Sequence, residues 1–212
     1  MKVLFLTNHL NLGGITAYLL NLAAVLRTRA DIGLTVASRG GELEKDFQSM
    51  GVKTLRIPLS TKCEVSPKVL ISALMLRGYV KDNKIDIIHA NTRVTQVLAA
   101  ILSKMTGVPY LSTCHGYFKP RFSRRMMPAW GKIVIAISEQ VKEHLVNDFK
   151  VPESCIRLIF NGIKVDKYNG QMDLDKTEEK KRFGLSLDKK IIGHIGRLSS
   201  VKGQKFIIEA AK

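Results

Sequence analysis

The chain has 212 residues, of which 45% are hydrophobic and 25% are charged. These values are those of an ordinary globular protein, and a chain of this length buries a core without disulfides or metal ions. They exclude intrinsic disorder, collagen-like repeats and small disulfide scaffolds. The 34 Lys and Arg residues against 18 Asp and Glu give a formal charge of +16, which favours nucleic acid, an anionic membrane surface or phosphorylated ligands as partners.

The cysteines and the apolar segments bear on the cellular compartment. Three cysteines are widely spaced and form no CxxC pair, a pattern typical of a reducing compartment and unsuited to a zinc site. The uncharged apolar stretch Gly14–Leu26 is shorter than the roughly 18 residues that a membrane span needs. The sequence therefore predicts a cytoplasmic protein, with a basic face suited to peripheral contact with the inner side of the membrane.

Seven short strands alternate with helices along the chain, and most of the strands are continuously apolar. Continuous rather than alternating hydrophobicity is typical of strands buried on both faces of a parallel sheet. The predicted strands are Val3–Thr7, Gly33–Ala37, Thr54–Ile57, Ile85–His89, Tyr110–Thr113, Ile133–Ile137 and Ile156–Phe160. This order predicts an α/β fold with a doubly wound parallel, Rossmann-like sheet.

Three helix starts can be predicted from capping residues. A Ser, Thr or Asn side chain accepts a hydrogen bond from the free N–H groups of the first turn, and a proline at the first helical position reinforces the signal. The sequence has such residues at Ser66 (followed by Pro67), at Asn91 or Thr92, and at Ser138.

The chain changes character after residue 168. Residues 1–168 hold the seven strands and are predicted to form one domain, whereas residues 169–190 are polar and charged, as in a linker with one short helix. A strand at Ile191–Ile195, followed by a loop and a helix, then begins a further unit. Because one βα unit cannot bury its own apolar face, we expect residues 191–212 to be the first part of a second domain.

Ligands of an open parallel sheet bind at the carboxyl ends of its strands, where the sequence has two polar loops. In the first, Gly13 and Gly14 open a helix whose free N–H groups suit an anion; the alternative is a tight turn that only packs this helix. In the second, His115 can hydrogen-bond a sugar hydroxyl or phosphate, transfer a proton, or serve only the structure. The same edge carries His9, Asn91 and Arg93.

A third loop, GRLSSVKG at residues 196–203, lies between the predicted strand and helix of the further unit. Arg197 supplies a planar fork of donors and Lys202 a point charge, and both suit a diphosphate. A solvated basic loop is the alternative interpretation.

Basic and apolar side chains are interleaved over residues 117–132. Such a surface can contact anionic lipid headgroups, and the basic residues that would face the membrane are Lys119, Arg121, Arg124 and Arg125. Two alternatives stay open: a loop whose apolar residues pack underneath, and a nucleic-acid surface. We expect no nucleic acid, because no RRM, KH or helix-turn-helix pattern accompanies the segment.

Taken in order, the loops resemble those of glycosyltransferase family 4, the large group 1 family with the GT-B fold. The residues that carry the resemblance are Gly13-Gly14, Thr113–Gly116, Ile137-Ser138, Asn161–Asp166, Gly196–Leu198 with Lys202-Gly203, and Ile207–Ala211. The family typically has aspartate directly after Asn-Gly-Val/Ile. Here Lys164 intervenes.

The resemblance implies the N-terminal half of a GT-B fold and a retaining, hexosyltransferase-type enzyme. Such an enzyme moves a sugar from a nucleotide-sugar to a glycan or lipid-linked acceptor, in envelope polysaccharide, lipopolysaccharide or glycolipid synthesis. It implies that His115 is catalytic and contacts the donor sugar, and that the charges of Arg197 and Lys202 make a metal ion or other cofactor unnecessary. The implied donor-phosphate residues are Gly13, Gly14, Arg197 and Lys202, and the implied acceptor-side residues are His9, Asn91, Arg93 and Asn161.

Two other functions remain open on the sequence. A non-catalytic module that binds anionic ligands or a membrane surface would bind vesicles in a salt-sensitive way without turnover. A nucleic-acid-binding protein would bind duplex or single strands with a steep salt dependence. Because the nucleotide-binding part of the resembled fold lies further along the second domain, we expect this chain to be inactive alone.

Overall fold

The computed structural model describes residues 1–120, 124, 126–163, 165 and 175–211. The chain divides into two compact units, Met1–Ile163 and Lys164–Lys212. The division lies close to the predicted end of the first domain at residue 168.

The first unit is built on a parallel sheet, which has seven strands in the part of the chain that the structure describes. They are β1 (Lys2–Leu6), β2 (Gly33–Ser38), β3 (Lys53–Arg56), β4 (Ile87–Ala90), β5 (Tyr110–Cys114), β6 (Ile133–Ala136) and β7 (Ile156–Leu158), in the spatial order β3-β2-β1-β4-β5-β6-β7. Each overlaps a strand predicted from the sequence, so the doubly wound parallel α/β fold is confirmed. The order reverses between β1 and β4, where loops on opposite faces separate and leave room for a ligand.

Helices connect the strands, and the capping residues explain where two of them begin. The α-helices for which the described residues of the first unit give bounds are α1 (Gly14–Leu26), α2 (Glu44–Ser49), α3 (Pro67–Asp82), α4 (Arg93–Thr106) and α5 (Glu139–Phe149). Thr92 and Ser138 accept hydrogen bonds from the first turns of α4 and α5. Ser66 stands before Pro67 at the start of α3, but its side chain makes no capping hydrogen bond, so the proline alone sets that boundary.

The alternation of side chains along β1 divides the core between two faces of the sheet. Leu4 and Leu6 pack with apolar residues of α3 and α4, whereas Val3 and Phe5 pack with those of α1 and α2. Successive strand residues point to opposite faces, so a fully apolar strand is what a sheet covered on both sides requires. A third cluster joins β5, β6 and β7 to α5 and contains the buried Trp130.

The second unit departs from its prediction in one element. The predicted short helix is present as α6 (Lys176–Arg182), and the predicted last helix as α7 (Gln204–Ala210). The strand expected at residues 191–195 is not formed, and these residues are exposed. A strand is stabilised by hydrogen bonds to a neighbouring strand, and the described part of this unit contains no neighbour that could provide them.

The loops after β1 and β2 approach each other backbone to backbone. The N–H of Leu10 donates to the carbonyl of Gly40 at 3.0 Å, and the N–H of Leu43 donates to the carbonyl of Leu10 at 2.9 Å. A Cβ on Gly41 would lie 2.4 Å from the carbonyl carbon of Leu10 and 2.5 Å from the nitrogen of Asn11. Glycine is therefore required at position 41 to hold these two loops together at the carboxyl edge.

We expect Gly41→Ala to lower the free energy of unfolding by about 1–3 kcal/mol, because the added methyl meets backbone that cannot rotate away. Urea denaturation followed by circular dichroism measures the change. Gly33→Ala is the matched control, since its Cβ would meet only the side-chain Cγ of Lys2, at 3.5 Å. Equal stability of the two variants would contradict the requirement for glycine at position 41.

Candidate functional site

A cleft of about 440 Å³ opens at the carboxyl edge of the sheet beside the point where the strand order reverses. We call it the His115 cleft. The start of α1, the β4–α4 turn and the loop after β5 form its walls, with Ile137 and Asn161 at the side. Five candidate residues from separate parts of the sequence thus meet at one site, namely Gly14, Asn91, Arg93, His115 and Asn161.

Asn91 fixes the orientation of the His115 imidazole. The buried Asn91 donates its side-chain NH₂ to the carbonyls of His89, at 3.1 Å, and Leu6, at 3.5 Å. The remaining Oδ1 is therefore an acceptor, and Nε2 of His115 lies 3.3 Å from it. His115 consequently carries its proton on Nε2, and its Nδ1 has a free lone pair with no hydrogen-bond partner among the described residues.

Aromatic and hydroxyl groups support the histidine from below. The ring of Tyr18, on α1, stands edge-on to His115 with a centroid separation of 4.8 Å. Its hydroxyl lies 3.4 Å from Oγ1 of Thr113, which is also 2.7 Å from Nε2 of the buried His89. A chain of polar contacts therefore runs beneath the cleft from α1 through β5 to β4.

The pKa values of these groups are shifted in the direction that keeps the site uncharged. Burial lowers the pKa of His115 to about 4. Burial, with a smaller contribution from the charge that His115 would carry, lowers the pKa of His89 to about 3. Burial also raises the pKa of the Tyr18 hydroxyl, against the hydrogen bond from Thr113. At neutral pH His115 is a neutral imidazole that accepts and donates hydrogen bonds, and it is a poor proton acceptor.

The two glycines before α1 leave open space in front of its first turn. Gly13 has an extended backbone, with φ of 168°, and provides no side-chain cap. A Cβ would meet nothing within 4 Å at Gly14, and only the carbonyl oxygen of Asn11, at 4.0 Å, at Gly13. Packing therefore does not require glycine at either position, and the phosphate role of the two glycines stays a prediction.

A second cleft of about 470 Å³, the His9 cleft, lies further along the same edge. The loops after β1, β2 and β3 and the start of α4 form it, and its lining includes the basic side chains of Arg39, Lys62 and Arg93. Nδ1 of His9 accepts a hydrogen bond from the N–H of Asn11 at 3.3 Å. Thr92 lines both clefts, so the first turn of α4 separates them.

Arg93 also borders both clefts, but its guanidinium is committed to structural contacts. It forms an ion pair with Glu64 at 3.0 Å, with both side chains largely buried. It also donates to the carbonyls of Met127, at 2.6 Å, and Pro128, at 3.1 Å. Arg93 therefore ties the segment before Trp130 to the start of α4, and the predicted acceptor contact would require it to give up one of these partners.

The basic segment is partly packed and partly exposed. The guanidinium of Arg124 lies 4.4 Å from the centre of the Phe118 ring, a cation–π contact within the segment. His144 binds the backbone of Phe118 through Nε2 and Asp148 through Nδ1. Lys119 is exposed. Arg121 and Arg125 lie outside the described residues, so the membrane role of this segment stays a prediction.

Arg197 and Lys202 belong to the second unit, where both are exposed. The carbonyl of Arg197 accepts a hydrogen bond from Nε2 of Gln204 at 2.8 Å, which joins the loop to α7. Neither side chain forms an ion pair within the described residues, so both charges are available to a ligand. Their role in diphosphate binding stays a prediction.

The sequence analysis missed three residues that the clefts use. Tyr18 stands one helical turn after Gly14, a spacing that puts both on the same side of α1 and could have indicated its position. Arg39 and Lys62 follow β2 and β3, at the edge already known to bind ligands, but nothing in the sequence indicated that their loops would meet.

In the described part of the chain, no group of three or more His, Cys, Asp or Glu side chains is arranged to hold a metal ion. None of its helices has the length and hydrophobicity to cross a membrane.

Comparison with known proteins matches the chain to sugar-transferring enzymes. The sequence profile of Glycosyltransferase Family 4 matches residues 12–167. An Escherichia coli enzyme, UDP-Gal:alpha-D-GlcNAc-diphosphoundecaprenol alpha-1,3-galactosyltransferase, is 26% identical over 194 residues, which are 86% of this chain and 49% of that protein. The chain spans about half the length of the curated relatives it matches first.

Solved structures share the fold. A glycosyltransferase from Rickettsia africae superposes with a TM-score of 0.81 at 22% identity, over 99% of this chain and 56% of that one. Anabaena HepE, crystallised with UDP-glucose, superposes with a TM-score of 0.77 at 21% identity, over 100% and 57% of the two chains. The Rossmann-like sheet of GT-B type that the resemblance implied is thereby confirmed.

The lowered pKa values of His89 and His115 predict acid sensitivity. The unfolded chain takes up protons on these side chains below pH 6.5, whereas the folded chain does not until pH approaches their folded pKa values of about 3 and about 4. Stability is therefore present above pH 6.5 and is lost as pH falls, with a slope for each histidine that steepens below pH 6.5 toward a limit of about 1.4 kcal/mol per pH unit.

Urea unfolding at intervals between pH 7 and pH 5 measures this slope. His115→Gln should reduce the slope by about half, because one of the two neutral histidines is gone. A free energy of unfolding that stays constant over this range would contradict the assignment of two buried neutral imidazoles.

Proposed function

The chain belongs to glycosyltransferase family 4, and from that membership we propose that it provides the acceptor side of a retaining, hexosyltransferase-type active site. The enzyme transfers a sugar from a nucleotide-sugar to a glycan or lipid-linked acceptor in the synthesis of an envelope polysaccharide, lipopolysaccharide or glycolipid. The bond from the anomeric carbon to the diphosphate breaks, the nucleoside diphosphate leaves with the electron pair and takes up the acceptor proton, and the acceptor oxygen bonds to that carbon.

The observation that carries the proposal is the neutral His115 held by Asn91 in the cleft. Its Nδ1 lone pair is directed by the Asn91 contact on Nε2, which suits it to accept a hydrogen bond from a sugar hydroxyl. A histidine with a pKa of about 4 does not carry a positive charge at neutral pH. It therefore positions the sugar without attracting the diphosphate to the wrong place.

The resemblance to the family assigns donor-phosphate contacts separately in each unit: to the backbone N–H groups at Gly13 and Gly14 in the first, and to the side chains of Arg197 and Lys202 in the second. Negative charge on the leaving group increases in the transition state, so donors fixed beforehand lower the barrier more than they strengthen substrate binding. In this proposal the two cations supply the charge that a divalent metal would otherwise provide, and no other cofactor is needed.

The acceptor is assigned to the His9 side of the edge, next to Thr92. The E. coli relative is named for an acceptor that is a lipid diphosphate. An acceptor of the same chemistry would find Arg39 and Lys62 in the His9 cleft, where cations suit its phosphates. These two cations in the lining of the His9 cleft favour a lipid-linked acceptor, which carries phosphates, over a free glycan acceptor, which does not. Arg93, engaged by Glu64, would hold the wall of the cleft rather than the acceptor.

The proposal is tested by sugar transfer in the protein that carries this chain, with a panel of radiolabelled nucleotide-sugars and lipid-linked acceptors. We expect His115→Ala to reduce kcat by about 10²-fold, the scale of misplacing the reacting sugar when one positioning contact is lost. Tyr18→Phe is the control, since it keeps the ring beside His115 and removes only the hydroxyl. Unchanged transfer by His115→Ala, or no transfer with any donor, would reject the proposal.

Arg197→Ala and Lys202→Ala should each lower kcat/KM in the same assay, by an amount that corresponds to an increase of about 2–4 kcal/mol in the activation free energy. Each variant removes one positive charge that would stabilise the developing negative charge of the diphosphate. Lys189→Ala and Lys190→Ala remove equivalent exposed charges from the same unit and should leave transfer unaffected. If all four variants behave alike, the phosphate role of Arg197 and Lys202 is wrong.

A further inference from the structure

The outer face of α3 is apolar although it is exposed. Leu70, Ile71, Leu74 and Met75 are 52%, 47%, 54% and 55% exposed. They form two adjacent rows at i, i+4 spacing, Leu70 with Leu74 and Ile71 with Met75. We call these four residues the α3 stripe. Four large apolar side chains together on one helix face differ from the scattered single ones that are normal on a protein surface.

The opposite face of α3 is already used by the core. Val69, Ala73, Leu76 and Val80 are buried against the sheet and α4. The helix therefore has apolar side chains on both faces, and the stripe is not needed to attach α3 to the first unit. No described residue covers it, as its exposure demonstrates.

Basic side chains flank the α3 stripe. Lys68 lies one turn before Ile71 on the side of the Ile71 row, and Arg77 lies one turn after Leu74 on the side of the Leu70 row. Lys81 lies two turns after Leu74, on the side of the Leu70 row, and all three basic residues are exposed. Asp82 is the one carboxylate on this helix. An apolar strip bordered by cations is the surface that lies in a membrane interface, with the apolar part among the acyl chains and the cations among anionic headgroups.

We propose that the α3 stripe, with Lys68, Arg77 and Lys81, docks the first unit on an anionic lipid surface. The basic margins decide the occupant, because a second copy of this chain would bring the same cations against them, whereas anionic headgroups neutralise them. The proposal moves the membrane contact from the segment 117–132 to α3, and it does not depend on sugar transfer.

Flotation with vesicles of phosphatidylglycerol and phosphatidylcholine, without donor or acceptor, tests the docking. The chain should float with these vesicles, not with phosphatidylcholine alone, and binding should weaken as salt is raised. The double variants Leu70→Ser/Leu74→Ser and Lys68→Glu/Arg77→Glu should each lose affinity by about tenfold or more. Their thermal unfolding should match the unmodified chain, since every changed side chain is exposed.

Matched controls distinguish binding through the α3 stripe from non-specific binding through other exposed apolar or charged side chains. Val25→Ser removes an equally exposed apolar side chain from α1, and Lys45→Glu/Lys104→Glu reverses two exposed charges on α2 and α4. Both should bind vesicles as the unmodified chain does. In addition, the fluorescence of Leu74→Trp should shift to the blue and be quenched by brominated lipid.

Three results would overturn the proposal. One is the absence of flotation with anionic vesicles. Another is binding that the stripe variants leave intact but Lys119→Glu abolishes, which would return the contact to the segment 117–132. The third is a concentration-dependent dimer in light scattering that Leu70→Ser/Leu74→Ser dissociates, which would assign the face to a second copy.

Discussion

The carboxamide of Asn91 is the constraint on which the site depends. Asn91 follows β4 at the carboxyl ends of the paired strands β1 and β4. Its NH₂ group donates to the carbonyls of His89 and Leu6, and its side-chain oxygen accepts from His115. A buried amide must satisfy both ends, and these partners allow only one orientation. One side chain therefore joins the ends of β1 and β4 to the loop after β5, and determines which nitrogen of His115 is available to a ligand.

Neutrality is the second requirement, and it follows from burial. His89, Thr113 and Tyr18 lie beneath His115 and offer hydrogen bonds but no carboxylate. A charged imidazole there would lose its hydration without gaining a counter-ion, so both histidines stay neutral. Because these uncharged groups supply no positive charge, a negatively charged ligand would have to be bound by other groups. These are the N–H groups in the first turn of α1 and exposed cationic side chains.

The sheet could be predicted from the sequence because parallel strands such as β1 must be apolar on both faces, a local signal. The helix starts at Thr92 and Ser138 could also be predicted, because a capping residue is a local signal too. The exceptions depend on distant partners. The ion pair of Arg93 with Glu64 joins residues 29 positions apart, and Arg124 stacks on a ring six positions away. The strand expected at residues 191–195 failed because a strand needs neighbours, which no local pattern supplies.

The α3 stripe illustrates the same limit for surfaces. The four stripe residues and the buried ones between them make the segment 69–76 apolar on almost every side of the helix, a pattern that indicates a fully buried helix. Only the packing of one face on α4 and the sheet reveals that the other face has no partner among the residues that the structure describes. The excess of positive charge was evident from the composition, but composition does not show which surface of the protein carries it. Lys68 and Arg77 border an apolar row that the core does not use. A nucleic acid would contact these cations and leave the apolar row in water, whereas a lipid surface would cover both. The two features together therefore favour a lipid interface over a purely electrostatic contact.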